Sequence, residues 1–262
     1  MIHPNRDSLP RNSSGPGERK RPPMRDTGSE IQALEKRITH CRRCPRLVAW
    51  REQVARTRVR RFQHEKYWGR PVPAFGDAAA PLVLVGLAPA AHGGNRTGRM
   101  FTGDRSGDWL FGALHRFGFT NQPASRDRQD GLALSDCFIT AALRCPPPAN
   151  KPLPSELENC RGYLCRELEL LRSARVFVAL GRIAFQAFLK AWAENGRPSP
   201  GRKPEFRHGG EWELPGGFVL ITSYHPSQQN TQTGKLTREM FHSVFRRSSQ
   251  LVDRARGQRD SD

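Results

Sequence analysis

The sequence predicts an α/β domain built on a parallel sheet. Four short apolar runs, Leu82–Leu87, Cys137–Leu143, Val176–Leu180 and Phe218–Thr222, read as strands buried on both faces. Stretches of helical periodicity separate them in place of tight turns, as crossover connections between parallel strands require. Unusual loops follow the first, second and fourth runs: Ala88–Asp104, Arg144–Pro154 and His225–Gly234. Ligands of open α/β sheets bind beyond the carboxyl ends of the strands, so these three loops outline one site.

Residues 1–28 are rich in Pro, Arg, Ser and Gly and read as a disordered basic arm. The folded domain, residues 29–252, opens with a helix whose Ile31, Leu34 and Ile38 share a face and which runs out near Cys41-Arg42-Arg43-Cys44-Pro45. After the first strand a helix is expected over Trp109–Phe117. After the second, Ser155–Leu171 carries a capping box at Ser155 and Glu158. The third strand leads into a helix at Arg182–Ala193 and the fourth into Arg238–Val252, where Thr237 can cap and Leu236 and Phe241 can form a hydrophobic staple. Residues 253–262 are expected to fray. With 262 residues, one domain with a substantial core is the simplest organisation.

Lys and Arg number 43 against 25 Asp and Glu, a formal charge of +18. Such an excess suits a polyanionic partner such as nucleic acid, although a merely solvated arginine-rich surface also accounts for it. No apolar run approaches the roughly 18–20 residues that span a bilayer, and the N-terminus lacks the apolar core of a secretory signal. A cytoplasmic protein without a membrane partner is therefore expected, in which cysteines serve as metal ligands or core residues more often than as disulfides; a monomer is the default expectation.

Cys41 and Cys44 form a C-x-x-C pair at a helix end, while Cys145 and Cys160 bracket the proline-rich crossing Pro146–Pro152. Cys160 shares a helix face with Leu157, Leu164, Leu168 and Leu171, which turns its sulfur inward. Cys165 lies off that face and Cys137 sits in a strand. The two pairs can complete a four-thiolate site for zinc or an iron–sulfur cluster; alternatively Cys145 and Cys160 are ordinary buried cysteines.

The segment from Gly86 to Asp104 holds five glycines and little apolar bulk, so its backbone N–H groups, those of Gly86, Leu87, Ala88 and Pro89's neighbours among them, and its polar side chains are expected to meet a ligand. Phe101 offers a stacking platform for a planar base, or else a loop anchor. Asp104 can orient or deprotonate a water, or cap the following helix. The Asn150 amide matches the edge of a pyrimidine, and Asn is also a common turn residue. His225, followed by Pro226 and Ser227, lies at the carboxyl edge of the sheet, where an imidazole can stabilise charge on a departing group.

These residues resemble the uracil-DNA glycosylase superfamily, and most closely its family 5 branch. The similarity rests on Gly86-Leu87-Ala88-Pro89-Ala90 with Asn95–Asp104, on Arg144–Pro152, on His225-Pro226-Ser227 with Asn230–Gly234, and on the C-x-x-C pair. The resemblance implies a three-layer α/β/α sandwich around a short, mainly parallel sheet and a 4Fe-4S cluster on Cys41, Cys44, Cys145 and Cys160. It also implies removal of uracil, and potentially hypoxanthine, from single- or double-stranded DNA. Leu87 stands where family 4 relatives carry a Glu, and the second strand lacks the Asn that sister families use to read uracil. By the resemblance, Asp104 acts on water, Asn150 substitutes for the missing Asn, and Phe101, Ser227 and the Gly86–Pro89 backbone contact substrate. Two other readings stand beside it: a glycosylase for a different damaged base, and a noncatalytic, zinc-stapled DNA-binding module.

Overall fold

The computed structural model describes residues 26–259. The expected N-terminal arm falls almost wholly outside them, although helix α1, Thr27–Thr39, already begins within its last residues. The four apolar runs are strands: β2 (Leu82–Gly86), β3 (Cys137–Ala141), β4 (Val176–Leu180) and β6 (Phe218–Ser223). They pair in parallel in the order β3-β2-β4-β6, with Leu82 opposite both Cys137 and Val176, and Val176 opposite Val219.

Two short strands absent from the sequence reading make the sheet mixed. β1 (Phe75–Gly76) pairs antiparallel with β3 at one edge, and β5 (Gly210–Leu214) pairs antiparallel with β6 at the other. β1 is too short to carry a periodic signal. β5 joins β6 through Pro215-Gly216-Gly217, a turn composition that does mark a hairpin.

Alternate strand residues feed two cores. Leu82, Leu84, Ile139 and Val178 face a layer formed by α4 (Arg105–Arg116) and α8 (Arg238–Arg259), with Phe111, Phe241 and Phe245. Val83, Val85, Phe138 and Phe177 face α1, α5 (Pro154–Leu170) and α6 (Arg182–Glu194), with Ile38, Leu164, Phe188 and Trp192. Three layers result, as expected. Among the described residues no helix is long and apolar enough to cross a membrane.

Three helix boundaries differ from expectation for local reasons. α4 starts at Arg105 because Asp104 caps it, its side chain accepting the Gly107 N–H at 2.9 Å. α5 starts at Pro154 because a proline at the first helical position needs no N–H partner. There Glu156 accepts the Leu153 N–H at 2.8 Å, so the expected pair at Ser155 and Glu158 is not the cap. Thr237 does cap α8, its Oγ1 accepting the Met240 N–H at 3.2 Å, but the helix continues through Arg259 where fraying was expected from Asp253. A further helix, α2 (Pro45–Thr57), follows the C-x-x-C pair.

Phe177 of β4 is 1% exposed and packs on Phe188 and Trp192 at ring separations of 4.9 and 5.8 Å. Phe177→Ala is expected to cost about 3–5 kcal/mol in chemical denaturation. A loss no larger than that of a surface substitution would contradict this packing.

Candidate active site and cysteine centre

The loop after β2 is built around its aromatic. Phe101 adopts a left-handed backbone, φ 53°, which turns its ring back under the end of β2. A Cβ at Gly86 would lie 2.8 Å from Phe101 Cζ, so only glycine lets the ring approach the strand end. From the far edge of the sheet, the His225 ring stands over Phe101 at 6.0 Å with an interplanar angle of 27°. The side-chain amide of Asn230 donates to the His225 carbonyl at 2.9 Å, and Ser227 caps the short helix α7 (Gln228–Gln232). Asn230 thus fixes the turn that aims His225, a role its place in the motif did not disclose.

His225 is half-buried, and loss of solvent pushes its imidazole down to about 4. It is therefore neutral at physiological pH and offers a donor without a positive charge.

Asp104 performs the capping role and keeps a second function open. One carboxylate oxygen caps α4. The other points at Gly93, where a Cβ would come within 2.1 Å of it. Burial raises the carboxyl above its usual range, opposed by the N–H groups of Gly107 and Ser106.

The remaining polar side chains of the loop differ from expectation, because most of them hold the loop itself. Arg96 is buried, donates to the carbonyls of His92 and Gly103, and pairs with Glu65. Arg99 is buried and bonds Thr102, Ser125 and Asp130. Asn95 of helix α3 (Gly94–Thr97) is 0% exposed and donates to the Arg51 carbonyl at 3.3 Å. A loop with few apolar residues gains its interior from these charged and amide groups. At its start, the Gly86 and Leu87 carbonyls accept from Ala142 and Leu143, Pro89 is buried, and the Ala88 N–H donates to no backbone carbonyl among the described residues.

Asn150 lies on the loop after β3 with φ 56°, and its side chain is exposed. It shares the carboxyl edge of the sheet with Phe101 and His225, and its amide makes no hydrogen bond among the described residues. β3 itself contributes Thr140, whose hydroxyl donates to Glu167 and is not free to read a ligand.

A second centre lies beside this one. Cys41 follows α1, Cys44 caps α2, Cys145 follows β3 and Cys160 is on α5, and all four line one void together with Leu47, Leu143, Arg51 and Arg144. Among the described residues no three Cys, His, Asp or Glu side chains converge closely enough for a single metal ion. Arg51 Nη1 donates to Cys145 Sγ at 2.9 Å, and Asn159 to Cys44 Sγ at 3.6 Å. Burial pushes the Cys145 and Cys160 thiols up to about 11 and about 12. Arg51 Nε and Arg144 Nε and Nη1 are buried without a hydrogen-bond acceptor. Unpaired cationic donors beside four thiols suit an anionic occupant. Cys137 and Cys165 are packed in the two main cores, away from this void. Arg51 escaped the sequence reading, although its spacing with Leu47 and Val54 places it on the apolar stripe of α2.

Residues 73–247 match the model of the uracil DNA glycosylase superfamily. The chain is 51% identical over 221 residues to a type-5 uracil-DNA glycosylase of Thermus thermophilus, covering 84% of this chain and 98% of the relative. It is 50% identical over 224 residues to a type-5 uracil-DNA glycosylase of Mycobacterium tuberculosis, covering 85% and 81%. A type-4 uracil-DNA glycosylase of Archaeoglobus fulgidus is 40% identical over 116 residues, 44% of this chain and 50% of that one.

The depressed His225 value has a direct check. An unfolded His binds its proton near 6.5 and the folded one only near 4, so this group's contribution to stability is lost as the pH falls from 6.5 towards 4. An NMR titration is expected to find the His225 ring neutral throughout pH 6–8; protonation in that interval would refute its desolvation.

Proposed function

The chain belongs to the uracil-DNA glycosylase superfamily, and from that premise we propose a monofunctional DNA glycosylase that extrudes a uracil nucleotide and hydrolyses its C1′–N1 bond, beginning base excision repair. The observation that carries this reading is the near-parallel approach of Phe101 and His225 at the carboxyl edge of one sheet, with Asp104 three residues on from Phe101 in the same loop.

The excess of basic residues holds DNA by its phosphates, and an unpaired or mismatched uracil is the easiest base to extrude. Phe101 receives the base. The base lies flat on Phe101 with its carbonyl edge turned towards His225, whose ring centre stands 6.0 Å from that of Phe101. As the C1′–N1 bond breaks, its electron pair leaves with uracil, and the charge spreads to the base carbonyl oxygens. The neutral His225 N–H and the Ala88 N–H donate there, with Gly86, Leu87 and Pro89 shaping the wall. Asp104 steadies the cationic sugar through its free oxygen and directs water to C1′, accepting the proton that water releases.

With Thr140 committed to Glu167, β3 offers no side chain to read the base, and Asn150 takes that task from the neighbouring loop, with Ser227 at the opposite rim. A pocket read by one exposed amide accepts more than one deaminated base, so hypoxanthine is a further substrate. Four cysteines lining one void and the unpaired guanidinium donors beside them support a 4Fe-4S cluster on Cys41, Cys44, Cys145 and Cys160 in preference to zinc. When bound, the cluster supplies metal–thiolate links that join α1, α2, α5 and the loop after β3.

The reading is tested with labelled oligonucleotides carrying one uracil, single-stranded and opposite G or A. Alkali-dependent cleavage at the uracil is expected, and intact strands despite tight binding would favour a binding module or another lesion. His225→Ala is expected to lower kcat/KM by about 10²–10³, and a loss under tenfold would remove it from this role. Asp104→Asn is expected to abolish an acid limb in kcat/KM whose midpoint lies above the usual carboxylate range, the direction in which burial moves this group.

A further inference from the structure

Arg51 occupies the interior face of α2 and is 3% exposed. Its guanidinium donates from Nη1 to Cys145 Sγ at 2.9 Å and from both terminal nitrogens to the Cys41 carbonyl at 3.2 Å. It therefore joins one cysteine from each half of the centre. Its nearest carboxylate, Glu52, is 3.9 Å away and partly exposed, and its Nε has no acceptor. A buried guanidinium so weakly balanced is costly unless a negative group stands beside it. Arg144 differs, because Glu167 pairs with it directly.

The main chain of the same residue reaches the other site. The Arg51 carbonyl accepts from the buried amide of Asn95, whose own carbonyl and that of Arg96 accept the N–H groups of Gly69 and Trp68. Ala88, at the root of the same loop, packs on Leu47, Leu143 and Cys145. One residue thus touches the cysteine cluster with its side chain and the loop of Phe101 and Asp104 with its backbone.

We propose that Arg51 is a positioning residue with two tasks: it is the counter-charge that holds the metal centre on the cysteines, and it fixes the catalytic loop against that centre through Asn95. The proposal rests on the reading of the four cysteines as metal ligands. Partners of this kind set ligand charge and orientation, and their loss weakens metal retention about 10–100-fold.

The test uses full-length protein purified without oxygen, wild type beside Arg51→Met and Arg51→Lys. Iron, sulfide and zinc analysis with the visible spectrum of the wild type first decides the identity of the metal, independently of Arg51. Metal loss to a chelator is then followed in each variant. Arg51→Met is expected to release metal 10–100-fold faster, and Arg51→Lys, which keeps the charge with a single compact donor, to fall between. If iron is present, the midpoint potential is expected to shift negative in Arg51→Met and less so in Arg51→Lys, because a cation and a hydrogen bond to sulfur favour the reduced cluster. Should Arg51→Met fail to fold, Arg51→Lys alone decides. Unchanged metal retention in the folded variants overturns the proposal whichever metal is bound, whereas wild type without metal overturns the ligand reading on which it stands. Asn95→Leu is expected to leave metal content unchanged while increasing amide exchange in the Ala88–Asp104 loop; no increase would sever the second task.

Discussion

Every residue of β2, β3 and β4 is buried. A strand enclosed on both faces has no place for a reacting polar group that is not desolvated. The one polar side chain admitted there, Thr140, is tied to Glu167, which in turn holds Arg144. All chemistry is displaced to the strand ends, and the parallel register brings the ends of β2, β3, β4 and β6 to one edge. Phe101 and His225 meet because they follow strands that share this register, although more than a hundred residues separate them.

The loop after β2 then faces a difficulty of its own. It must hold an aromatic ring and a buried carboxyl in fixed positions with almost no apolar material. Arg96, Arg99, Thr102 and Asn95 provide that interior by saturating its carbonyls and hydroxyls. Rigid hydrogen bonding replaces packing, and the absence of side chains at Gly86 and Gly93 allows Phe101 and Asp104 to close in. The Asp104 carboxyl has one oxygen tied to a helix N-terminus and the other directed into the loop, so its orientation is fixed by the fold itself.

The cysteine centre extends the same logic to the N-terminal helices. α1 and α2 are attached at one side of the sheet, and their contact with the catalytic loop runs through Arg51, Asn95 and Ala88 instead of through a broad apolar interface. Cys41, Cys44, Cys145 and Cys160, from four different segments, line one void there.

Much of this was legible in the chain itself. The doubly buried strands announced themselves as uninterrupted apolar runs, and the helix faces as spacings of three and four. Hidden from it were β1, too short to show a period, the start of α5, where Glu156 and not Glu158 meets the cap, and the persistence of α8 to Arg259. The sequence alone determined the four parallel strands, the main helices and the residue types at the sheet's carboxyl edge, because burial and periodicity are local properties written into neighbouring residues. Only the tertiary structure decided that Phe101 lies under His225, that Asp104 both caps and points inward, and that Arg51 joins the cysteines to the loop. Those are contacts between segments far apart in the chain, and no local pattern encodes which distant partner a side chain will meet.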